Sequence, residues 1–484
     1  MKGRSRDQWT SASHRVRRAL PLVGTGLLSC LGYWILSFGI RADGEARDVW
    51  TFLGVLSGLF GLYFATVVWI HRSQIPPRAT TILAWAIAFR ILLLPAGLTP
   101  ESWTADLHDD VTSASVGYRP FLLYDNDVWR YLWDGHVSAH GFDPFADTPR
   151  ELELLSDEGD PAAEMLFEEE LWQDIFDRTS FHAYRSVYPP AAQLLFRGLH
   201  WVAPGSVLAL KLILVAFDLG TCFLVVALLR RFQRPTSAVL LYAWNPLAIK
   251  EIAGSGHLDA MMIFFLVLAV YWLVHRRTRL SLVAFGLSVL SKLTPILVVG
   301  LFLRRSSWRH WPWFGTTLLA GFLPYVYSWA EILRGIAAFS REWMFNPGLW
   351  ALWKWTAEAL NLPGRPIASA VSGALTLAVI AWTLRRDSGQ HEALVRGIFL
   401  ILGAYLVLSA TVMPWYLLWA LPFVAIRPGF SWLVLTWLSL LSYLIYIDQV
   451  EHPVWLWIEF SVYFAVLGWE VLRAPSHPKQ ASSP

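Results

Sequence analysis

The chain has 484 residues, of which 55% are hydrophobic and only 15% charged, with a formal net charge of +3. A soluble domain of this length and composition would expose far too much apolar surface, so an ordinary soluble protein is excluded and an embedded helical one is expected. Cys30 and Cys222 are its only cysteines and both lie in apolar runs, which rules out a disulfide framework or a cysteine-based metal site.

The N-terminus carries Lys2, Arg4, Arg6, Arg15, Arg17 and Arg18 ahead of the first apolar run. That pattern has the charged start of a signal peptide, but no small-residue cleavage site follows, so an uncleaved first helix with a cytoplasmic N-terminus is expected. Runs long enough to span, about 20 residues each, extend from Ala19 to Ile40, Val49 to Ile70 and Ala79 to Leu98, and recur after Val207. Most of the 28 tryptophans are expected at the membrane interfaces. Arg72 with Arg78, Arg230 to Arg234 and Arg276 to Arg279 mark three connections as cytoplasmic by the positive-inside rule. The loop 99–187 then lies outside, and it holds 20 Asp plus Glu against five Arg and no Lys.

Two segments break the simple alternation. Tyr188 to Pro204 is short, opens on Pro189-Pro190 and carries Arg197 and His200; it is expected as an interfacial or re-entrant helix. Leu280 to Leu303 has arginines at both ends and Lys292, Thr294 and Pro295 in its middle. Two half-length helices turning at Ser291 to Pro295 reconcile the two basic ends, because such segments are tolerated where they line a cavity. Continuing to Arg473 gives about 14 membrane segments on the length criterion, some of them short or re-entrant. Both termini are expected in the cytoplasm, and the Pro/Ser-rich tail 474–484 is expected to be disordered.

With this topology several unusual side chains face one compartment. Asp125 and Asp127, next to Arg130 and Tyr131, could supply a general base tuned by burial and neighbouring charge; two solvated acids in an acidic loop is the competing reading. Lys292 sits deep in an apolar stretch, which costs about 2.5 to 3.5 kcal/mol on insertion scales, and a phosphate is its natural partner; a structural ion pair or a snorkelling lysine is the alternative. Arg90 allows the same two readings, with structural pairing favoured. His257 and Asp259 could orient a substrate or bind metal, and a capped helix start explains them nearly as well. Tyr188, Trp343, Asn346, Trp415 and Tyr416 complete the set expected on the outer side.

The ordered blocks Tyr124 to Pro144, Tyr188-Pro189-Pro190, Ser255-Gly256-His257-Leu258-Asp259, Ser291-Lys292-Leu293-Thr294-Pro295, Trp343-Met344-Phe345-Asn346 and Met413-Pro414-Trp415-Tyr416 resemble bacterial GT-C fold glycosyltransferases. The likeness is above all to the polyprenol-phosphate-mannose-dependent mannosyltransferases, and more loosely to the eukaryotic mannosyltransferase that builds the GPI anchor core. It runs from about residue 79 to residue 427. The resemblance implies an all-α polytopic GT-C-like catalytic domain over 79–473 that includes the outer loop, preceded by two accessory helices in 1–78.

It further implies an inverting transfer of a hexose, mannose first, from a polyprenyl-phosphate donor to a lipid or glycan acceptor at the outer face of a bacterial cytoplasmic membrane. In those enzymes an aspartate of the first outer loop takes the proton of the acceptor hydroxyl. Asp127 is its first counterpart and Asp125 the second, with Lys292 and Arg130 toward the donor phosphate. Tyr131, Tyr188, His257, Asp259, Trp343, Asn346, Trp415 and Tyr416 would contact substrate. A divalent cation, Mg or Mn, is the only cofactor candidate. Membrane lipids are expected partners and nucleic acid is not; the oligomeric state is open. The chain departs from many relatives in having Met413 where they carry a histidine before Pro-Trp-Tyr, so no role passes to that side chain. The acidic insertion Glu151 to Asp177 is longer than the family loop and reads either as an acceptor-facing lid or as a solvated appendage. A lipid-linked sugar flippase, or a polysaccharide polymerase or ligase, would share the helices and the buried lysine.

Overall fold

The computed structural model describes residues 3–40, 46–73, 76–96 and 123–473. The opening of the acidic loop, 99–122, and the tail 474–484 lie outside the described residues. The described chain is helical throughout, with one isolated bridge between Phe345 and Thr411. Among the described residues, seven helices are long and apolar enough to cross a membrane, and four shorter apolar helices accompany them. The protein is an all-α polytopic membrane protein.

Helix α1 (Gly3–Phe38), α2 (Ala46–Arg72) and α3 (Ala79–Leu93) form the first layer. After the loop come α4 (Asp127–Ala139) and α5 (Pro190–Val202), which pack along each other. Gly135 of α4 sits so close to the Phe196 carbonyl that an added Cβ would lie 2.4 Å from it, so the α4–α5 approach depends on that glycine. The α5 helix, expected at an interface rather than across the bilayer, spans only 13 residues, about 20 Å. It leads into the spanning helix α6 (Val207–Arg231), whose Ser206 cap accepts the Ala209 N–H at 3.2 Å.

Helix α7 (Asp259–Val274) packs along α6 in the same direction, with Gly256 against Lys211 and Phe264 against Phe217, and is followed by α8 (Thr278–Ser291). The chain breaks after Ser291: Lys292 is extended, a tight helical turn covers Thr294–Val298, and a short helix Val299–Leu303 follows. This is the half-length hairpin that the arginines at both ends of the segment require. Further on, α9 (Gly364–Arg385) and α10 (His391–Leu408) pack as a pair, and α11 (Pro453–Arg473) closes the chain. The basic connections meet one another: Arg234 reaches Glu392 at 3.2 Å, and Arg305 is paired with Asp387. Their contacts agree with a common side for these turns.

The insertion 151–177 is not a solvated loop. It folds into three short helices, the first closed by a capping box between Thr148 and Glu151. Leu152, Leu166, Trp172, Ile175 and Phe176 are buried, while Glu158, Glu164, Glu168 and Glu170 remain exposed. The acids keep the outer surface wet and the apolar stripe seats the insertion on α4.

Arg90 is a structural residue. It is fully buried, paired with Asp218 of α6, and donates from Nη1 to the carbonyls of Ala86 and Ala243, each at 2.9 Å. The other Asp218 oxygen accepts the Tyr242 hydroxyl at 2.6 Å. Removing one member of such a pair strands the other charge in the interior. Asp218→Ala is therefore expected to destabilise the protein by about 3–5 kcal/mol, seen as a lower unfolding temperature in detergent, and Arg90→Met combined with Asp218→Leu should recover most of that loss. Equal stability of Asp218→Ala and wild type would show that the pair does not hold α3 to α6.

Candidate functional site

Five separated segments meet around one cavity of about 460 Å³. Asp125, Asp127 and Arg130 come from the start of α4, and Tyr188 from the approach to α5. Lys292 comes from the hairpin break, Trp343 from a connection, and Trp415 and Tyr416 from a tight helical segment at Pro414–Trp419. All eight line the cavity. The other expected residues stand behind it or elsewhere. Tyr131, His257 and Asp259 form the supporting layer, whereas Asn346 donates to Glu459 at 3.1 and 3.2 Å and lines a separate cavity of about 170 Å³.

The two aspartates are not equivalent. Asp125 is buried; its Oδ1 accepts the Asp127 N–H at 2.9 Å and its Oδ2 lies 3.1 Å from His257 Nε2. Asp127, the first residue of α4, has a side chain 31% exposed and accepts the Tyr131 hydroxyl at 3.3 Å. Burial and then the Asp125 charge push the Asp127 carboxyl up to about 6, with His257 and Lys292 opposing. Burial alone would raise Asp125 as well, but the cationic His257 and Lys250 outweigh it and hold that carboxyl below its ordinary value. One carboxylate is thus committed to structure, and the other is poised near neutrality with access to the cavity.

Beneath them lies a charge network whose acidic and basic neighbours were not identified from sequence. Residues Lys250–Gly254 form a π-helical turn, a local widening of the helix that recurs at functional sites. It places Lys250 and Glu251 together, both buried, with Nζ and carboxylate 3.1 Å apart and the Tyr443 hydroxyl bonded to both. Glu251 also comes within 3.2 Å of His257 Nε2. The His257 ring stacks on Trp415 at 3.7 Å between centroids. Burial would lower the imidazole, but Asp125 and Glu251, both facing Nε2, raise it to about 10. The sequence signal was available: two adjacent charges in the apolar run Leu240 to Ala253 are expensive there unless they serve a site.

Lys292 donates to Asp259 at 2.8 Å, and its ammonium lies 4.2 Å from the centre of the Tyr416 ring and 5.0 Å from that of Trp419. Asp259 accepts the Trp419 indole N–H as well. An ammonium has three donors, so one ion pair and an aromatic wall orient Lys292 without exhausting it. Arg130 bonds Asp134 at 2.6 Å and the Tyr184 carbonyl at 3.0 Å, and Asp134 in turn accepts from Ser186 and Gln193. The cavity therefore has a carboxylate at one place, two fixed cations and an aromatic lining. Candidate ligand atoms of Asp125, Asp127 and His257 lie within 4.8 Å of one another. Asp125 and Glu251 both face His257 Nε2, while Nδ1 lies 3.8 Å from Asp127 Oδ2, so the two aspartates and the imidazole are a donor set that could hold a divalent ion.

Residues 119–305 match a family described as alpha-(1->6)-mannopyranosyltransferase, N-terminal domain. The matched segment contains Asp125, Asp127, Arg130, Tyr188, Glu251, His257, Asp259 and Lys292. It agrees with the resemblance to bacterial mannosyltransferases: residues 119–305 are similar to the N-terminal domain of that family. No curated protein and no solved structure matches the chain.

The state of His257 can be checked directly. In protein carrying ¹⁵N-labelled histidine, one ring is expected to keep both nitrogens protonated up to about pH 8, well above the ordinary titration range, and to vanish from the spectrum of His257→Gln. A full set of histidines titrating near their ordinary value would rule out the clamped imidazolium.

Proposed function

We propose that the chain is an inverting GT-C-type glycosyltransferase that moves mannose from a polyprenyl-phosphate donor to a lipid or glycan acceptor at the outer face of the membrane. The observation that carries this reading is the meeting of Asp127, Arg130 and Lys292 in one aromatic-lined cavity. A carboxylate near neutrality and fixed cations across the same space are what displacement at an anomeric carbon needs.

Asp127 takes the proton from the acceptor hydroxyl as its oxygen attacks the anomeric carbon. The bond from that carbon to the lipid phosphate breaks on the opposite face, so a β-linked donor gives an α-glycoside. Negative charge grows on the departing phosphate, and Lys292 and Arg130 stabilise it as preorganised groups that need no rearrangement at the moment of reaction. Tyr188, Trp343, Trp415 and Tyr416 offer flat apolar faces to the sugar and to the first part of the lipid. Asp125, His257 and Glu251 keep the base in place and tune its charge. The outer aspect of the cavity follows from the positive-inside reading of the arginine-rich turns. A divalent ion, Mg or Mn, would be held by the carboxylates of Asp125 and Asp127 and would add positive charge toward the departing phosphate.

Purified protein in detergent should transfer mannose from polyprenyl-phospho-mannose to a mannosyl acceptor, and Asp127→Asn should lower kcat by about 100-fold or more. Undiminished transfer by Asp127→Asn would remove it as the base. No transfer from any polyprenyl-phosphate sugar, together with lipid translocation in vesicles, would favour a flippase. For wild type, kcat/KM should fall as the pH drops through about 6, where Asp127 takes up its proton.

A further inference from the structure

The far end of α4 gathers three histidines that the sugar-transfer reading does not use. His136 lies in the last turn of α4, His140 one turn on caps its C-terminus on the same face, and His200 comes from the last turn of α5. The ligand atoms the three rings can offer lie within 4.8 Å of one another. Ring centroids are 4.4 Å apart for His136 and His140, 5.2 Å for His136 and His200, and 5.6 Å for His140 and His200.

Backbone carbonyls decide which nitrogens are available. His136 Nε2 lies 3.0 Å from the Leu166 carbonyl, and His140 Nδ1 lies 2.9 Å from the His136 carbonyl. A ring nitrogen facing a carbonyl must donate, which leaves the lone pairs on His136 Nδ1 and His140 Nε2. His136 is only 2% exposed, and neither its Nδ1 nor the Nδ1 of His200 has a hydrogen-bond partner. A buried polar atom left in that state is destabilising by about 1–3 kcal/mol. Imidazoles whose second nitrogen is fixed by a carbonyl are also the usual form of metal-bound histidine.

We propose that His136, His140 and His200 form a binding site for a late first-row divalent ion, Zn(II) foremost, separate from the cavity that holds Asp127. Three imidazoles without a carboxylate favour zinc, copper, nickel or cobalt over magnesium or calcium, and water completes the tetrahedron. The ion clamps α4 to α5. Its reach extends into the acidic insertion, because the His136 ring stacks on Trp172 at 3.8 Å between centroids and is bonded to the Leu166 carbonyl. Nine helical positions separate His136 from Asp127, about 14 Å at the helical rise. The clamp therefore braces the beam that carries the base, without touching the reaction.

The test uses the full chain in detergent, purified without a histidine tag and stripped with a chelator, then titrated with Co(II) and with Zn(II). One equivalent of Co(II) is expected to bind with visible tetrahedral absorption, to be displaced by Zn(II), and Zn(II) should raise the unfolding temperature. His140→Ala, at an exposed position where folding is not at risk, and His200→Ala should each weaken binding by about 10-fold or more and abolish the Zn(II)-induced stabilisation. Asp127→Asn should bind like wild type. The proposal is overturned by the absence of saturable binding at one equivalent, by binding that survives both histidine variants, or by binding lost in Asp127→Asn instead.

Discussion

The site depends on a single buried arrangement: the His257 imidazole whose Nε2 faces the carboxylates of both Asp125 and Glu251, with Lys250 closing the network from below. Ionised groups in a low-dielectric interior are tolerated only when each finds its opposite. That requirement ties the loop before α4 to the π-helical turn and, through Tyr443, to a late helix. The same histidine sets the two aspartates apart, since its Nε2 holds the buried Asp125 at 3.1 Å while Asp127, 3.8 Å from Nδ1, keeps a side chain 31% exposed to the cavity. Trp415 stacked on His257 then fixes the Pro414–Trp419 segment against the same point.

Irregular backbone is concentrated where the cavity is. The π-helical turn at Lys250–Gly254, the break at Lys292 and the tight helical turn at Pro414–Trp419 all leave backbone groups that a lipid environment could not satisfy. They occur where protein and a polar space surround them. Long uninterrupted helices such as α6, α9 and α11 supply the frame. Helix α2 is less peripheral than its position ahead of the resembling region suggests, because Phe52 lies against Tyr124 and Tyr443 and 5.8 Å from the Lys250 ammonium.

Much of the site was legible residue by residue. Asp127, Arg130, Tyr188, Lys292, Trp343, Trp415 and Tyr416 were each conspicuous as a charge or an aromatic in an unusual place, and the structure brings them to one cavity. Lys250, Glu251 and Tyr443 were overlooked: in the sequence the first two look like a brief interruption of an apolar run, and the tyrosine like one aromatic among many. Asn346 had the right type and neighbourhood, yet its side chain turns to Glu459. The insertion 151–177 showed its acids in sequence, but the apolar stripe that docks it on α4 emerges only once the short helices form.

By itself the sequence determined the membrane class, the helical fold, the broken hairpin at Lys292 and the arginine asymmetry from which an orientation is expected. These follow from local quantities, namely run length, hydropathy and the cost of charge in hydrocarbon. Only the tertiary structure decided which aspartate is held in place and which faces the cavity, that Arg90 belongs to Asp218, and that the histidines of α4 meet one on α5. Those outcomes depend on pairs separated by dozens or hundreds of residues, whose distances and relative burial no local pattern encodes.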